Sequence, residues 1–303
     1  MEKPLLATEF LDRARKNFGD QEAVLTVEGN RLTYDELGDR VDRLSAALQD
    51  HGIEKGDRVA VLDPNTHYHL ETAYAAIQIG AVHTPLNYRL KPGENEYILN
   101  DAGIDALVCD YDFVENIDPV RDEVDIETYI CNDPARADTD AEWADYEAVI
   151  DDYDPDDYER PEMSEDEIIT INYTSGTTGD PKGVMRTHRT ETLHAYLTAH
   201  QQSIGSDDVY YWTLPMFHVN GWGHIYAITG VGARHICARG FDPGRTFEKI
   251  VEEDVSYMCC APTVMNMLIE YWEENDPQTT GDNELRIASG GAAPPEATMR
   301  TLE

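Results

Sequence analysis

The chain has 303 residues, of which 60 are acidic and 23 basic, for a formal net charge of -37. That length allows about two domains and a sizeable core, while the charge argues against nucleic acid and anionic membrane surfaces as partners. No apolar run reaches the about 18 residues that a membrane span needs, and the N-terminus lacks a signal-peptide core, so a cytoplasmic location is expected.

Only six of the bases are lysines. A carboxylate shell with arginine preferred to lysine points to a protein that works in high salt. There the Debye length falls to about 3 Å at about 1 M, and surface self-repulsion is largely screened. Cys109, Cys131, Cys237, Cys259 and Cys260 form no CxxC spacing and are expected to be buried, reduced thiols.

In chain order, Leu5 to Phe18 predicts an amphipathic helix with Leu6, Phe10, Leu11 and Ala14 on one face. Two short strands, Glu22 to Val27 and Arg31 to Thr33, flank the hairpin signal Gly29-Asn30. Thr33-Tyr-Asp-Glu36 is a capping box for a helix striped by Leu37, Val41, Leu44 and Leu48. From Asp57 strands alternate with helices: Arg58 to Leu62, a helix over Thr66 to Gly80, then Ala81 to Pro85, Asp105 to Cys109 and Tyr129 to Cys131. Such alternation predicts an α/β fold with parallel sheets covered on both faces. The most acidic stretch, Asp133 to Glu167, is expected to be a solvated, partly disordered surface excursion.

After it comes an apolar strand, Ile168 to Asn172, and then a stretch that concentrates unusual chemistry. Ser175 to Lys182 packs three hydroxyls (Ser175, Thr177, Thr178), two glycines (Gly176, Gly179) and a lysine. Glycines let backbone N–H groups turn inward, hydroxyls add donors and Lys182 adds charge, which is what phosphate oxygens require. An ordinary Gly/Ser/Thr-rich surface loop has the same composition. A Walker loop is excluded, because Pro181 precedes Lys182 and Gly183 follows it. Lys182, Arg186, His188 and Arg189 form a cationic island in an acidic chain, which favours an anion over the plain loop. A helix is expected to follow, beginning near Thr187 and running through Glu191 to Ile204.

The strand Val209 to Leu214 runs into Pro215-Met-Phe-His-Val-Asn-Gly-Trp-Gly223. His218 there is either a satisfied core histidine or part of a site, since strand ends are where α/β proteins build sites. Met258 to Met265 reads as a buried strand entering a helix at Pro262. Leu285-Arg-Ile-Ala-Ser-Gly-Gly-Ala-Ala-Pro294 reads as a strand and a glycine turn.

Tyr173-Thr-Ser-Gly-Thr-Thr-Gly-Asp-Pro-Lys-Gly-Val184 resembles the signature loop of the adenylate-forming, AMP-binding enzymes. These are the acyl- and aryl-CoA synthetases, luciferases and peptide-synthetase adenylation domains. The segments 215–223 and 258–265 resemble the fatty-acid and related CoA-ligase branch, and 285–294 resembles the adenosine loop. The likeness runs from about Thr33 to Pro294.

The resemblance implies two stacked, mostly parallel sheets sandwiched by helices, the family's large N-terminal domain, incomplete at its C-terminal end. Residues 1–54 with 205–303 would form one subdomain and 55–204 the other, with the acidic excursion at 133–167. Thr174, Ser175, Gly176, Thr177, Thr178, Gly179 and Lys182 would hold the triphosphate of ATP, and Gly290, Gly291, Ala292 and Ala293 the adenosine. His218 would act where ATP meets the acid, and Val219, Trp222 and Ile225 would line the acid's tail. The implied reaction activates a fatty or aryl carboxylic acid to an acyl-adenylate and then to a CoA thioester. ATP, magnesium and CoA are the implied cofactors and co-substrates, although no residue here matches the family's magnesium glutamate.

The family's later motifs, its hinge and its mobile domain with the catalytic lysine have no counterpart in the sequence, so an N-terminal portion is expected. A homodimer or a complementing C-terminal polypeptide is the expected protein partner. The competing readings are an amino-acid adenylation domain, a catalytically silent nucleotide-binding fragment and, remotely, another kind of phosphate-loop kinase. An amino-acid adenylation domain would want an acid for the substrate ammonium, and the chain instead has Val219-Asn-Gly-Trp-Gly223.

Overall fold

The computed structural model describes residues 3–174, 179–279 and 284–302. Among them lie two mostly parallel sheets flanked by helices, the α/β arrangement expected. One sheet has six strands in the order Arg286–Ser289, Tyr257–Cys260, Val209–Tyr211, Arg234–Ile236, Glu22–Leu25, Arg31–Thr33. The other has seven, in the order Ala144–Asp145, Thr128–Cys131, Ala106–Cys109, Arg58–Leu62, Val82–Pro85, Ile168–Thr174, Lys182–Thr187. Two pairs are antiparallel, Glu22–Leu25 with Arg31–Thr33 and Ile168–Thr174 with Lys182–Thr187.

Local signals act as expected where they are self-contained. Thr33 caps the helix Tyr34–Asp50, its hydroxyl accepting from the Glu36 N–H while the Glu36 carboxylate accepts from the Thr33 N–H. Leu37, Val41, Leu44 and Leu48 of that helix are fully buried. A continuous core joins Val24 and Tyr210 of one sheet, and Trp212 just past its strand, to Val59, Val61 and Ile169 of the other, through Leu44, Tyr74 and Tyr226 on the helices. All five cysteines are free and buried.

Two expectations are corrected, and one strand is found that the sequence did not mark. The helix expected to begin near Thr187 is present, capped by Thr187 and spanning His188–Gln201. Before it, Lys182–Thr187 is a strand in register with Ile168–Thr174. Cross-strand pairing, which no local periodicity shows, decides this.

The acidic stretch is not simply a solvated excursion. Trp143, Tyr146 and Ile150 are buried, and the helix Tyr146–Asp151 brings Glu147 onto Arg40 at 2.7 Å. Its aromatic and aliphatic side chains have hydrophobic burial to gain, so they seat in the core while the flanking carboxylates face water.

The strand after Gly205 is shorter than expected, Val209–Tyr211. Beyond it the backbone leaves the sheet and is held by Asn65, whose amide donates to the Trp212 and Leu214 carbonyls and accepts from the Met216 N–H at 2.6 Å. This side chain fastens the end of one sheet to the irregular segment leaving the other.

Candidate functional site

The phosphate-loop candidates sit at the open end of the antiparallel hairpin. Thr174 and Lys182 are cross-strand partners, and the Thr174 hydroxyl donates to the Lys182 carbonyl at 3.4 Å. Both are exposed, and Gly179 has φ +145° with open space around it. Ser175, Gly176, Thr177 and Thr178 lie outside the described residues. Gly183 is more than a turn residue. A Cβ there would stand 2.8 Å from the Ile171 side chain and 3.3 Å from the Tyr173 ring, so glycine lets the two strands pair closely.

The cationic island divides once partners are counted. Arg189 pairs with Glu165, and Arg186 pairs with Glu191 at 2.8 Å. Lys182 has no partner among the described residues. It is therefore the cation of the three left available for an anion.

Residues 219–223 form a left-handed helical turn. Their φ values are 52°, 52°, 58°, 54° and 76° in order, and the Trp222 N–H donates to the His218 carbonyl at 3.3 Å. Left-handed geometry costs about 1–2 kcal/mol per residue other than glycine, so Val219 and Trp222 are held there by their surroundings. Gly221 and Gly223 permit close packing, since a Cβ would strike the Trp212 ring at 2.4 Å and His194 at 2.8 Å respectively.

The turn aims Trp222 at the glycine loop. A Cβ on Gly290 would lie 2.0 Å from the Trp222 ring, so the indole rests directly on that backbone. Gly291 follows with φ +81°, and Gly291, Ala292 and Ala293 are exposed. His218 is exposed at the start of the turn, and Val219 is half-buried. Trp222 and Gly290 are thus brought together. Ile225 is fully buried in the core beside the turn, where its carbonyl accepts from the Tyr74 hydroxyl at 3.4 Å.

Beneath the turn lies a polar cluster that sequence reasoning passed over. The Asn220 amide donates to Glu191 at 3.3 Å, and its oxygen accepts from Thr170 and Asn172 of the hairpin strand at 3.4 Å each. Glu191 is fully buried, and burial pushes its carboxyl up to about 7 against the opposing pull of Arg186 and the Asn220 amide. Arg186 also reaches His194 Nδ1 at 3.0 Å, and burial together with that guanidinium lowers the His194 pKa. The Glu191 and Asn220 side chains are ordinary in sequence, and no local signal marks them.

Two cavities flank the strand ends. One of about 200 Å³ is lined by Asn65, Arg89, Thr213, Pro215, Arg239 and Thr263. Another of about 550 Å³, bounded by Phe247, Met258, Leu268, Trp272 and Leu302, contains none of the candidate site residues. No three or more His, Cys, Asp or Glu side chains gather as a metal site among the described residues.

Comparison with known proteins bears on this arrangement. Residues 11–303 match the family of AMP-binding enzymes. The chain is 33% identical over 306 residues to 4-hydroxybutyrate–CoA ligase 2 of Metallosphaera sedula, covering 99% of this chain and 54% of the relative. It is 31% identical to the peroxisomal trans-cinnamate:CoA ligase of Petunia hybrida, over 99% of this chain and 55% of that one. It thus spans about half the length of the curated relatives it matches.

Among solved structures, the N-terminal domain of FACL13 from Mycobacterium tuberculosis superposes with a TM-score of 0.86 at 27% identity, over 98% of this chain and 72% of that one. A long-chain-fatty-acid–CoA ligase from Archaeoglobus fulgidus gives 0.89 at 25% identity, over 100% of this chain and 61% of that one. The chain belongs to the family of AMP-binding enzymes.

Proposed function

We propose that this chain is the ATP- and acid-binding portion of an enzyme that activates a fatty or aryl carboxylic acid to an acyl-adenylate and then to a CoA thioester. The observation that carries this is the left-handed turn that seats Trp222 on Gly290 while hydrogen-bonding to the strand that leads into the signature loop. Three non-glycine residues at positive φ, Val219, Asn220 and Trp222, beside such a loop are a cost that a binding site can justify and a plain loop does not.

In this reading Thr174 to Gly179 and Lys182 hold the triphosphate, and Gly290 to Ala293 seat the adenosine. His218, Val219 and Trp222 place the acid. A carboxylate oxygen attacks the α-phosphorus, pyrophosphate leaves, and the CoA sulfur then displaces AMP from the acyl carbon. Both partners in the first step are anions, so positioning and charge neutralisation carry the catalysis. The two subdomains, 1–54 with 205–303 and 55–204, would meet at this site.

Val184 and Met185 on the edge strand and Leu193, Tyr196 and Leu197 on the following helix are exposed, which supports a complementing polypeptide as a partner. Because the chain spans about half of its relatives, thioester formation is proposed for a longer or complemented protein. The 303 residues by themselves are expected to bind ATP and to release negligible acid-dependent pyrophosphate.

Calorimetry with ATP in high salt, beside a pyrophosphate assay with octanoate and benzoate, tests this. An absence of ATP binding would overturn the nucleotide-site reading. An acid panel given to the complemented protein is expected to favour octanoate or benzoate over amino acids. The reverse preference would make it an amino-acid adenylation enzyme.

We also propose that the protein works in high salt. With 60 acids against 23 bases, its melting temperature should rise steeply along a KCl series up to molar concentration. A flat series would sink that reading.

A further inference from the structure

The turn carrying Trp222 and the hairpin carrying Lys182 are joined by buried polar side chains where apolar packing would cost less. Asn172, Asn220 and Glu191 are all buried, and Glu191 Oε2 has no partner among the described residues. A buried ion pair such as Arg186–Glu191 adds little net stability, because desolvation offsets its attraction. Its retention needs another reason.

Position supplies one. Arg186 stands on the strand that begins with Lys182, Glu191 lies in the first turn of the next helix, and Asn220 is the second residue of the left-handed turn. The Asn220 amide is the group that bonds to both sides, to Glu191 through its nitrogen and to Thr170 and Asn172 through its oxygen. Asparagine also tolerates left-handed backbone better than most residues. Two residues on, Trp222 lies against Gly290.

We propose that Glu191 and Asn220 are positioning residues: the carboxylate, held by Arg186, orients the Asn220 amide, which locks the turn and fixes Trp222 on the Gly290 backbone. The link makes the acid side of the site depend on the same strand that leads to Lys182. It rests on the reading of Trp222 and Gly290 to Ala293 as parts of one acid–adenosine site.

The test is acrylamide quenching of Trp222 in the full chain at pH 8 and high KCl. The chain has four tryptophans, so the Trp222 signal is taken as the difference from Trp222→Phe. In the wild type this signal should be shielded. Asn220→Gly keeps left-handed freedom but removes the amide, and Asn220→Asp sets a second carboxylate against Glu191. Both should lose the shielding while near-ultraviolet circular dichroism still shows a folded chain.

The double variant Asn220→Asp/Glu191→Gln reverses the donor and acceptor and should restore the shielding. Retained shielding in folded Asn220→Gly, or no restoration in the folded double variant, would overturn the relay. Quenching needs no ligand. A wild-type signal that ignores ATP and octanoate, with shielding lost and restored as above, would therefore count against the proposed site and leave the relay standing.

Discussion

Replacing Lys182 with alanine is expected to weaken ATP binding by about ten- to over a hundred-fold, the loss of one charge-assisted hydrogen bond worth roughly 1.5–3 kcal/mol. The expectation comes from how the neighbouring cations are committed. Arg186 is spent on Glu191 at 2.8 Å and Arg189 on Glu165, while Lys182 stands exposed at the base of the loop with no partner among the described residues. Calorimetry with ATP at constant high KCl measures the change. Arg189→Ala serves as the control, since it removes a charge of the same sign already satisfied elsewhere, and it should shift affinity far less. An equal loss in both variants would mean that only the general field of the island matters. A loss below about twofold in Lys182→Ala would remove this lysine from the site, because a direct contact to phosphate cannot be worth so little.

The largest effect on stability is expected at Arg40. Its guanidinium holds Glu71 through Nε at 2.6 Å and reaches Glu147 at 2.7 Å, and the Tyr146 hydroxyl completes the cluster with a bond to Glu71 at 2.7 Å. Glu71 is fully buried. Arg40→Met would leave that carboxylate away from water with a single hydroxyl for company, a cost of about 3–5 kcal/mol. The melting temperature should then fall by on the order of 10 °C. The double variant Arg40→Met/Glu71→Gln removes the stranded charge and leaves an acceptor for Tyr146, so much of the loss should return. Thermal unfolding in high KCl decides between this and the alternative. If Arg40→Met costs less than about 1 kcal/mol, the cluster behaves as an exposed ion pair does, and the burial argument fails. The four residues stand on three helices, Tyr34–Asp50, His67–Gln78 and Tyr146–Asp151, so the same measurement reports how firmly the acidic stretch is tied down.

By itself the sequence determined what neighbours along the chain can decide. The Thr33–Glu36 capping box, the apolar stripe from Leu37 to Leu48 and the strand–helix alternation from Arg58 onward each depend on residues within a few positions of one another. From these the mostly parallel α/β class follows, and the proposal of phosphate binding rests in the same local way on the Ser/Thr/Gly/Lys composition around Gly179. Tertiary structure alone decided what depends on a partner far along the chain. Lys182–Thr187 is a strand because Ile168–Thr174 offers it a ladder, and Tyr146 is core because Glu71 and Arg40 meet it from other helices. Ile225 has the same apolar side chain whether it faces a ligand or the interior, and only packing places it in the core. The left-handed turn is the extreme case. Valine and tryptophan disfavour positive φ on their own, so nothing local predicts it, and it exists because Asn220, Glu191 and the Gly290 backbone together hold it.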